Sequence, residues 1–334
     1  MRSFDYIRPE SITEAIAALA GPDGSTRALA GGTDLLTLMK SDVSTPERLV
    51  DIKRLPELDD AIDDSGDGIR IGALATLAQL EDDLHIQASY TALSEAAAVA
   101  ATPQLRNMAT IGGNLLQRPR CWYFRSEHVQ CWLNGGEECY ARDDENQYHA
   151  LFDVSPCVAV HPSDLATALV ALDASITVRG AHGDRDVPLG DFFAPPQEGR
   201  RTENTLAQDE LIVAVTLPRP TGDTRSTYLK AMDRKVWAFA LVGVGASVTM
   251  DGDAISGARL VLGGVAPVPR RAEVAEAMLA GAKPSAELFA RVADTALADA
   301  TPLAKNGYKV PLLRELITRA LASATGMVEP PGGR

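Results

Sequence analysis

The stretch Leu29-Ala-Gly-Gly-Thr-Asp34 decides how the first part of this chain folds. A short apolar run, Arg27–Ala30, leads into the two glycines and predicts a strand, and a helix is predicted from Thr33 to about Met39. Two glycines between a strand and a helix let successive backbone N–H groups point into one concavity, which binds a pyrophosphate well. The stretch matches neither the G-x-G-x-x-G fingerprint nor the P-loop. An ordinary glycine-rich turn is the alternative.

Similar chemistry recurs further along the chain, in Ala109-Thr-Ile-Gly-Gly-Asn-Leu115. Each of the two stretches holds a threonine and a side chain that can bond hydroxyl groups, Asp34 in the first and Asn114 in the second. Together they predict two walls around one extended, phosphate-containing cofactor. Two unrelated turns are the alternative.

All the cysteines of the chain, Cys121, Cys131, Cys139 and Cys157, fall in one polar, weakly periodic segment that is also rich in aromatic residues. A structureless stretch of this length inside a domain is typical of a segment that binds something. Four thiolates can hold a zinc ion or a [4Fe–4S] cluster, but the C-x9-C-x7-C-x17-C spacing lacks the paired C-x2-C knuckles common in zinc sites. The residues themselves leave an iron–sulfur cluster, a zinc site and free structural cysteines as alternatives.

Several other polar residues each have a structural interpretation and a functional one. His128 and His149 share the cysteine segment and are expected on surface loops, with the surroundings of a cluster as the alternative. Ser163 or Asp164 is expected to cap a helix, which does not exclude contact with a ligand. Lys230 lies in a predicted strand, where a solvated surface position is the usual role.

Composition excludes several classes of protein. The chain has 334 residues, of which 46% are hydrophobic, and a formal net charge of −13. It has no basic stripe of the kind that nucleic acids or anionic membranes require. The N-terminus lacks the apolar region of a secretory signal, and no apolar run approaches the ~18 residues of a membrane span. We expect a cytoplasmic protein, or a periplasmic one if a partner subunit carries the export signal.

The last third of the chain has its own organisation. Three antiparallel strands are predicted, followed by three amphipathic helices. The strands are Ser226–Ala231, Leu241–Thr249 and Ala258–Leu262, the helices are Arg271–Ala280, Ala286–Ala298 and Pro311–Ala322, and Asp251-Gly252-Asp253 forms a tight turn. The tail from Gly326 onward is expected to fray.

The combination of LAGGTDL, RNMATIGGNL, a Ser-Asp pair before a helix and a strand lysine in a separate C-terminal region resembles one family. It is similar to the FAD-binding medium subunit of the xanthine dehydrogenase and carbon monoxide dehydrogenase family of molybdenum hydroxylases, over about residues 1–325. The resemblance implies an α+β chain with the vanillyl-alcohol-oxidase-type (PCMH-type) FAD-binding fold. Its parts would be an N-terminal α/β FAD subdomain at 1–55, a second FAD subdomain at 56–220 and a C-terminal domain at 224–326, the last with a three-stranded antiparallel sheet and a helix bundle.

The resemblance also implies which residues contact the flavin. The first stretch would wrap the FAD pyrophosphate through Arg27, Ala28, Leu29, Ala30, Gly31, Gly32, Thr33, Asp34 and Leu35. The second would hold the other side through Ala109, Thr110, Gly112, Gly113, Asn114 and Leu116. Ala100, Ala101 and Leu105 would lie near the isoalloxazine, and Ser163 and Asp164 would bond cofactor hydroxyls. Lys230 would approach the flavin edge, where a cation stabilises the anionic reduced ring.

The cysteine segment, at about 117–160, departs from the plain family pattern. It is similar to an insertion in 4-hydroxybenzoyl-CoA reductase β subunits and periplasmic aldehyde oxidoreductase FAD subunits, which carry an additional [4Fe–4S] cluster there. The four cysteines would then be the cluster ligands.

The function that the resemblance implies is electron transfer through FAD in a multi-subunit molybdenum hydroxylase. Electrons would pass between iron–sulfur clusters and an external acceptor. The partners would be a molybdopterin-binding large subunit and a [2Fe–2S] small subunit, with no nucleic acid and no membrane. The chain would be an oxidoreductase component without a catalytic residue of its own. A stand-alone flavin oxidoreductase of the same fold and a zinc-stabilised binding protein are the alternatives.

Overall fold

The N-terminal part of the chain builds a small parallel sheet. A computed structural model describes residues 1–22 and 24–327. The elements are β1 (Asp5–Ile7), α1 (Ile12–Leu19), β2 (Thr26–Leu29), α2 (Leu35–Lys40) and β3 (Arg48–Asp51), with the strands in the order β1-β3-β2. Ser11 caps α1, whose apolar face is buried against the sheet. The predicted strand, glycine turn and helix are therefore present, although α2 begins two residues later than predicted.

The second part surrounds an antiparallel sheet in the order β4-β5-β8-β6-β7. Its elements are β4 (Ile62–Asp63), β5 (Gly68–Gly72), α3 (Leu77–Asp82), α4 (Leu84–Ser89), α5 (Thr91–Val99), α6 (Pro103–Arg106), α7 (Ile111–Leu115), α8 (Asp164–Ala171), β6 (Ser175–Gly180), β7 (Gly183–Pro188), α9 (Leu189–Phe192) and β8 (Leu211–Pro218). The second pair of glycines lies on α7, a short helix capped by Thr110, so it is part of a helix rather than a turn.

The cysteine segment between α7 and α8 is compact although it is irregular. Its only regular elements in the described part of the chain are two 3-10 helices, Trp132–Asn134 and Tyr140–Arg142. The segment has an apolar cluster of its own, which includes Phe124, Trp132 and Leu133 and reaches Leu38 of α2. The aromatic residues near the cysteines thus provide the packing that the missing secondary structure does not.

The C-terminal part is an antiparallel sheet covered by helices. Its elements are β9 (Asp223–Ala231), β10 (Val242–Asp251), β11 (Ala254–Gly263), β12 (Arg270–Arg271), α10 (Glu273–Glu276), α11 (Ala286–Ala296) and α12 (Lys309–Ala324). The sheet has four strands, in the order β12-β11-β10-β9, where three were predicted. The added strand β12 is too short for hydrophobic alternation to reveal it, and it takes up the start of the predicted helix Arg271–Ala280. Residues 328–334 of the predicted frayed tail lie outside the described residues.

Helix α8 joins the middle and C-terminal parts. It is buried along its whole length, and the C-terminal sheet approaches it closely at two glycines. A Cβ on Gly245 would lie 3.0 Å from the carbonyl oxygen of Thr167, and one on Gly263 would lie 2.5 Å from the Thr167 hydroxyl. This approach brings the N-terminus of α8 next to β9. Across both described ranges, no helix has the length and apolar character that crossing a bilayer takes.

Candidate functional site

The two glycine-containing stretches face one cleft of about 630 Å³. From the first stretch, Arg27, Ala28, Leu29, Ala30, Gly31, Gly32, Thr33, Asp34 and Leu35 line it, and from the second, Ala109, Thr110, Gly112, Gly113, Asn114 and Leu116. Two unrelated turns would not share a cavity, so the expectation of two walls around one space agrees with the geometry.

The two walls touch at Gly31. A Cβ on this residue would lie 1.8 Å from the carbonyl oxygen of Met108 and 2.8 Å from its carbonyl carbon. Only glycine allows so close an approach of two backbones. Next to it, Gly32 has a φ of +71°, in the left-handed region that favours glycine. The first glycine is therefore required by the contact between the walls, and the second by the turn.

The first stretch presents unused backbone donors to the cleft. Among the hydrogen bonds of the described residues, none is donated by the backbone N–H groups of Gly31, Gly32, Thr33 or Asp34, which are half-buried. Buried backbone donors are almost always satisfied, so a row of free ones in a cleft indicates an anionic ligand.

The second stretch differs, because its own donors are already used. The N–H of Gly112 donates to the Ala73 carbonyl at 3.1 Å, and that of Gly113 to the Thr110 hydroxyl at 3.2 Å. The expectation that both stretches offer the same chemistry is therefore wrong. The first can form an anion nest, whereas the second supplies a close, uncharged wall.

Arginines outnumber carboxylates in the lining of the cleft, which includes Asp34 and Glu210, although the chain as a whole is acidic. The arginines that line it are Arg27, Arg118, Arg120, Arg200 and Arg201. Burial lowers the pKa of Arg120 to about 10 against the opposing effect of Asp34, so it stays cationic at neutral pH. Apart from Arg27, sequence reasoning did not find these arginines, because their clustering depends on contacts between distant parts of the chain.

Asp34 links the first stretch to the cysteine segment. Its carboxylate accepts hydrogen bonds from the Arg118 backbone N–H at 2.9 Å and the Arg125 guanidinium at 2.7 Å, and it pairs with Arg120 at 2.7 Å. It does not cap α2 with its side chain. The carboxylate is therefore occupied by protein partners that hold the start of the cysteine segment beside the cleft.

The residues predicted around α8 and β9 form a buried network outside this cleft. Ser163 caps α8 and its hydroxyl donates to the Asn114 side chain at 2.5 Å, which ties α8 to the second wall. Asp164 accepts from the Lys230 ammonium at 2.8 Å and from the Tyr228 hydroxyl at 2.5 Å. The Lys230 side chain is only 2% exposed, so the usual surface role does not apply. Burial and the Asp164 carboxylate together raise the pKa of Tyr228, which sequence reasoning missed as a site residue.

The remaining predicted flavin neighbours lie close to that network. Ala101 follows α5 and has a φ of +51°, an unusual conformation for a residue with a Cβ. The Lys230 ammonium also donates to the carbonyl of Val99 at 3.2 Å, which places it beside Ala100 and Ala101. Neither Ala101, Leu105 nor Lys230 lines the large cleft.

A second cavity of about 270 Å³ joins this network to the cysteine segment. On one side it is lined by Cys121, Trp122 and His149, and on the other by Ser163 and Asp164. Arg120 lines both cavities.

The four cysteines lie together in the apolar cluster of their segment. Cys131 and Cys157 are buried and Cys121 and Cys139 are half-buried, and none forms a disulfide. The backbone N–H of Ala159 donates to the Cys157 sulfur at 3.4 Å. Within residues 1–22 and 24–327, no three His, Cys, Asp or Glu side chains are arranged to hold a metal ion.

Burial opposes ionisation of these thiols. It raises the pKa of Cys121 to about 12, whereas a hydrogen bond from the Cys157 thiol lowers that of Cys139 to about 6. The four sulfurs therefore cannot all be thiolates at neutral pH without a positively charged partner. His149, expected on the surface, is buried beside Cys121, whereas the His128 side chain is 85% exposed as expected.

Comparisons with known proteins agree with this geometry. A family model described as "FAD binding domain in molybdopterin dehydrogenase" matches residues 2–220, and one described as "CO dehydrogenase flavoprotein C-terminal domain" matches residues 227–324. The aldehyde oxidoreductase FAD-binding subunit PaoB of Escherichia coli is 40% identical over 97% of this chain and 99% of its own length. The carbon monoxide dehydrogenase medium chain of Hydrogenophaga pseudoflava is 28% identical over 96% of each chain.

Solved structures give the same result. A carbon monoxide dehydrogenase chain from Hydrogenophaga pseudoflava superposes with a TM-score of 0.77 at 29% identity, covering 97% of this chain and 98% of that one. A reconstituted CO dehydrogenase from Oligotropha carboxidovorans has a TM-score of 0.77 at 25% identity over 98% of this chain and 99% of that one. The predicted FAD-binding fold with a C-terminal domain is confirmed. The chain thus belongs to the FAD-binding subunits of the xanthine dehydrogenase and carbon monoxide dehydrogenase family.

Proposed function

We propose that this chain binds FAD across the large cleft and serves as the electron-transfer subunit of a multi-subunit molybdenum hydroxylase. The observation that carries the proposal is the row of free backbone N–H groups from Gly31 to Asp34, set among arginines in an acidic chain. A dinucleotide has a diphosphate for such donors and an extended shape for a cleft of this size.

Different parts of the cofactor would contact different residues. The free donors of the first stretch would bind the diphosphate, and Gly112, Gly113 and Asn114 would form the opposite wall. Ala101, Leu105, Ser163, Asp164 and Lys230 would lie toward the flavin ring. Bound FAD supplies the exchange of single electrons with clusters and of electron pairs with an acceptor. The chain itself would bind and orient the cofactor, and the Lys230 ammonium, paired with the Asp164 carboxylate, would be the cation nearest the ring.

The four cysteines would hold a [4Fe–4S] cluster. Four sulfur donors gathered in one apolar cluster are the ligands and surroundings such a cluster uses. The ligands of a cluster lie farther apart than those of a single metal ion. The positive charge of the iron would favour ionisation of the cysteine thiols, which burial alone opposes.

The proposed complex is a heterotrimer with a molybdopterin-binding large subunit and a [2Fe–2S] small subunit. The division of the chain at 1–55, 56–220 and 224–326 belongs to the same proposal. The cytoplasm is the proposed compartment, with the periplasm as the alternative if a partner carries an export signal.

Metal and flavin analysis of the native complex tests the proposal. We expect FAD equimolar with the chain, and more iron than [2Fe–2S] centres account for. Cys131→Ser should remove the additional iron and leave FAD in place, whereas His128→Gln in the same segment should change neither. Iron content equal to the parent's in Cys131→Ser would refute the cluster. Zinc in place of iron without flavin would support a zinc-stabilised binding protein, and a flavoprotein that purifies without partners would support a stand-alone oxidoreductase.

A further inference from the structure

One histidine of the cysteine segment lies directly against a cysteine. The Nε2 atom of His149 is 3.2 Å from the Sγ atom of Cys121, and the His149 residue is only 2% exposed. This distance is within the range of a hydrogen bond to sulfur. Neither the flavin cleft nor the cysteine ligand set accounts for a buried imidazole at this place.

The surroundings determine which ring nitrogen carries the proton. The His149 imidazole meets a polar atom at one of its two ring nitrogens, Nε2, which faces Cys121. Its Nδ1 atom has no hydrogen-bond partner among the described residues. A cysteine sulfur that binds metal can only accept a hydrogen bond. The tautomer with its proton on Nε2 therefore makes the one available bond, which is directed at Cys121.

The C-terminal part of the chain holds this ring in place. The His149 carbonyl oxygen accepts from the Lys309 ammonium at 3.0 Å and from the Asn306 side-chain amide at 3.1 Å, and both of these residues are fully buried. The Trp122 ring packs edge-on against the imidazole, with 5.2 Å between the ring centroids. The His149 ring is thus held in place by the protein itself, as a group that orients a metal ligand requires.

We propose that His149 donates a hydrogen bond from Nε2 to the Cys121 sulfur and so raises the reduction potential of the cluster, which makes it a positioning residue. The inference rests on the iron–sulfur cluster of the proposed function. One-electron reduction increases the negative charge on the sulfur ligands, so a donor stabilises the reduced cluster more than the oxidised one. No covalent bond forms or breaks, and the electron is the only particle transferred.

The test is an EPR-monitored redox titration of the full complex with dithionite, together with iron analysis. His149→Phe keeps an aromatic ring against Trp122 and removes the N–H, whereas His149→Gln keeps a donor. His128→Phe is the matched control, because its side chain is exposed. We expect His149→Phe to disfavour reduction about tenfold, which is 59 mV for a one-electron couple. The potential should recover toward the parent value in His149→Gln and stay unchanged in His128→Phe.

The redox titration and the iron analysis together test the hydrogen bond separately from the cluster. An unchanged potential in His149→Phe with full iron content would overturn the inference and leave the cluster standing. If His149→Phe loses the cluster, pulsed EPR of the parent complex with ¹⁵N-labelled histidine decides instead: a ¹⁵N coupling to the reduced cluster supports the hydrogen bond, and its absence overturns it. Absence of the additional iron from the parent complex would refute the proposed cluster first, and the inference with it.

Discussion

Replacement of Gly31 by alanine is the most direct perturbation of the flavin cleft. The added Cβ would lie 1.8 Å from the Met108 carbonyl oxygen. That carbonyl belongs to backbone that cannot rotate away, because the N–H groups of Met108 and Ala109 both donate to Leu105 and the Ala109 carbonyl accepts from Leu77. The two walls must therefore move apart by about an ångström before the methyl group fits.

The cost of the added methyl group sets the size of the loss in flavin affinity. Insertion of a methyl group into a packed site costs about 1–3 kcal/mol. The relaxed variant has separated walls, and FAD has to draw them together again when it binds. Because about 1.4 kcal/mol corresponds to a factor of ten, flavin affinity should fall by between about fivefold and about a hundredfold.

The assay compares flavin content and thermal stability of the complex with those of a matched variant. Gly190→Ala adds the same methyl group in α9, where a Cβ would meet no atom within 4 Å. We expect substoichiometric FAD and a lower Tm for Gly31→Ala, and parent values for Gly190→Ala. Full flavin retention with an unchanged Tm in Gly31→Ala would refute the contact between the walls.

Three further predictions concern ionisable groups that folding removes from water. Asp34→Asn should lower the free energy of unfolding by about 2 kcal/mol in urea denaturation, because it weakens three charge-assisted bonds. A loss no larger than that of Asp294→Asn, whose ion pair with Arg314 is exposed, would contradict this. Lys230→Met should lower the free energy of unfolding by about 3–5 kcal/mol, because it leaves the buried Asp164 carboxylate without its ion-pair partner. The double variant Lys230→Met/Asp164→Asn should recover most of this loss. A single variant as stable as the double variant would be inconsistent with the ion pair. Burial lowers the pKa of His161 to about 3 in the folded chain, whereas the unfolded chain takes up this proton near pH 6.5. Because the unfolded chain binds the proton at the higher pH, the free energy of unfolding should fall by up to about 1.4 kcal/mol per pH unit as the pH drops below about 6.5. The acid limb of the stability–pH curve should be flatter in His161→Phe, and an identical limb would argue against this cause.

Local patterns in the sequence predicted those parts of the site that depend on neighbouring residues. The strand, glycine pair and helix around Gly31 follow from hydrophobic spacing and backbone conformation, and both act over a few residues. The grouping of the four cysteines was visible for the same reason. The short strand β12 was missed because two residues carry no alternation, and its pairing partners lie in β11.

The electrostatic partners could not be read from the sequence. Asp34 meets Arg120 and Arg125 only because α2 packs beside the cysteine segment, and Lys230 is buried only because Asp164 lies opposite it at the start of α8. Nothing local distinguishes such residues from solvated ones. The same holds for His149, whose burial depends on the C-terminal part of the chain.

The position of the diphosphate in a crystal structure of the flavin-loaded complex tests the central claim most directly. We predict phosphate oxygens within hydrogen-bonding distance of the backbone N–H groups of residues 31–34, with Gly112 and Gly113 on the opposite wall. A flavin bound elsewhere, with those N–H groups facing only water, would contradict the assignment.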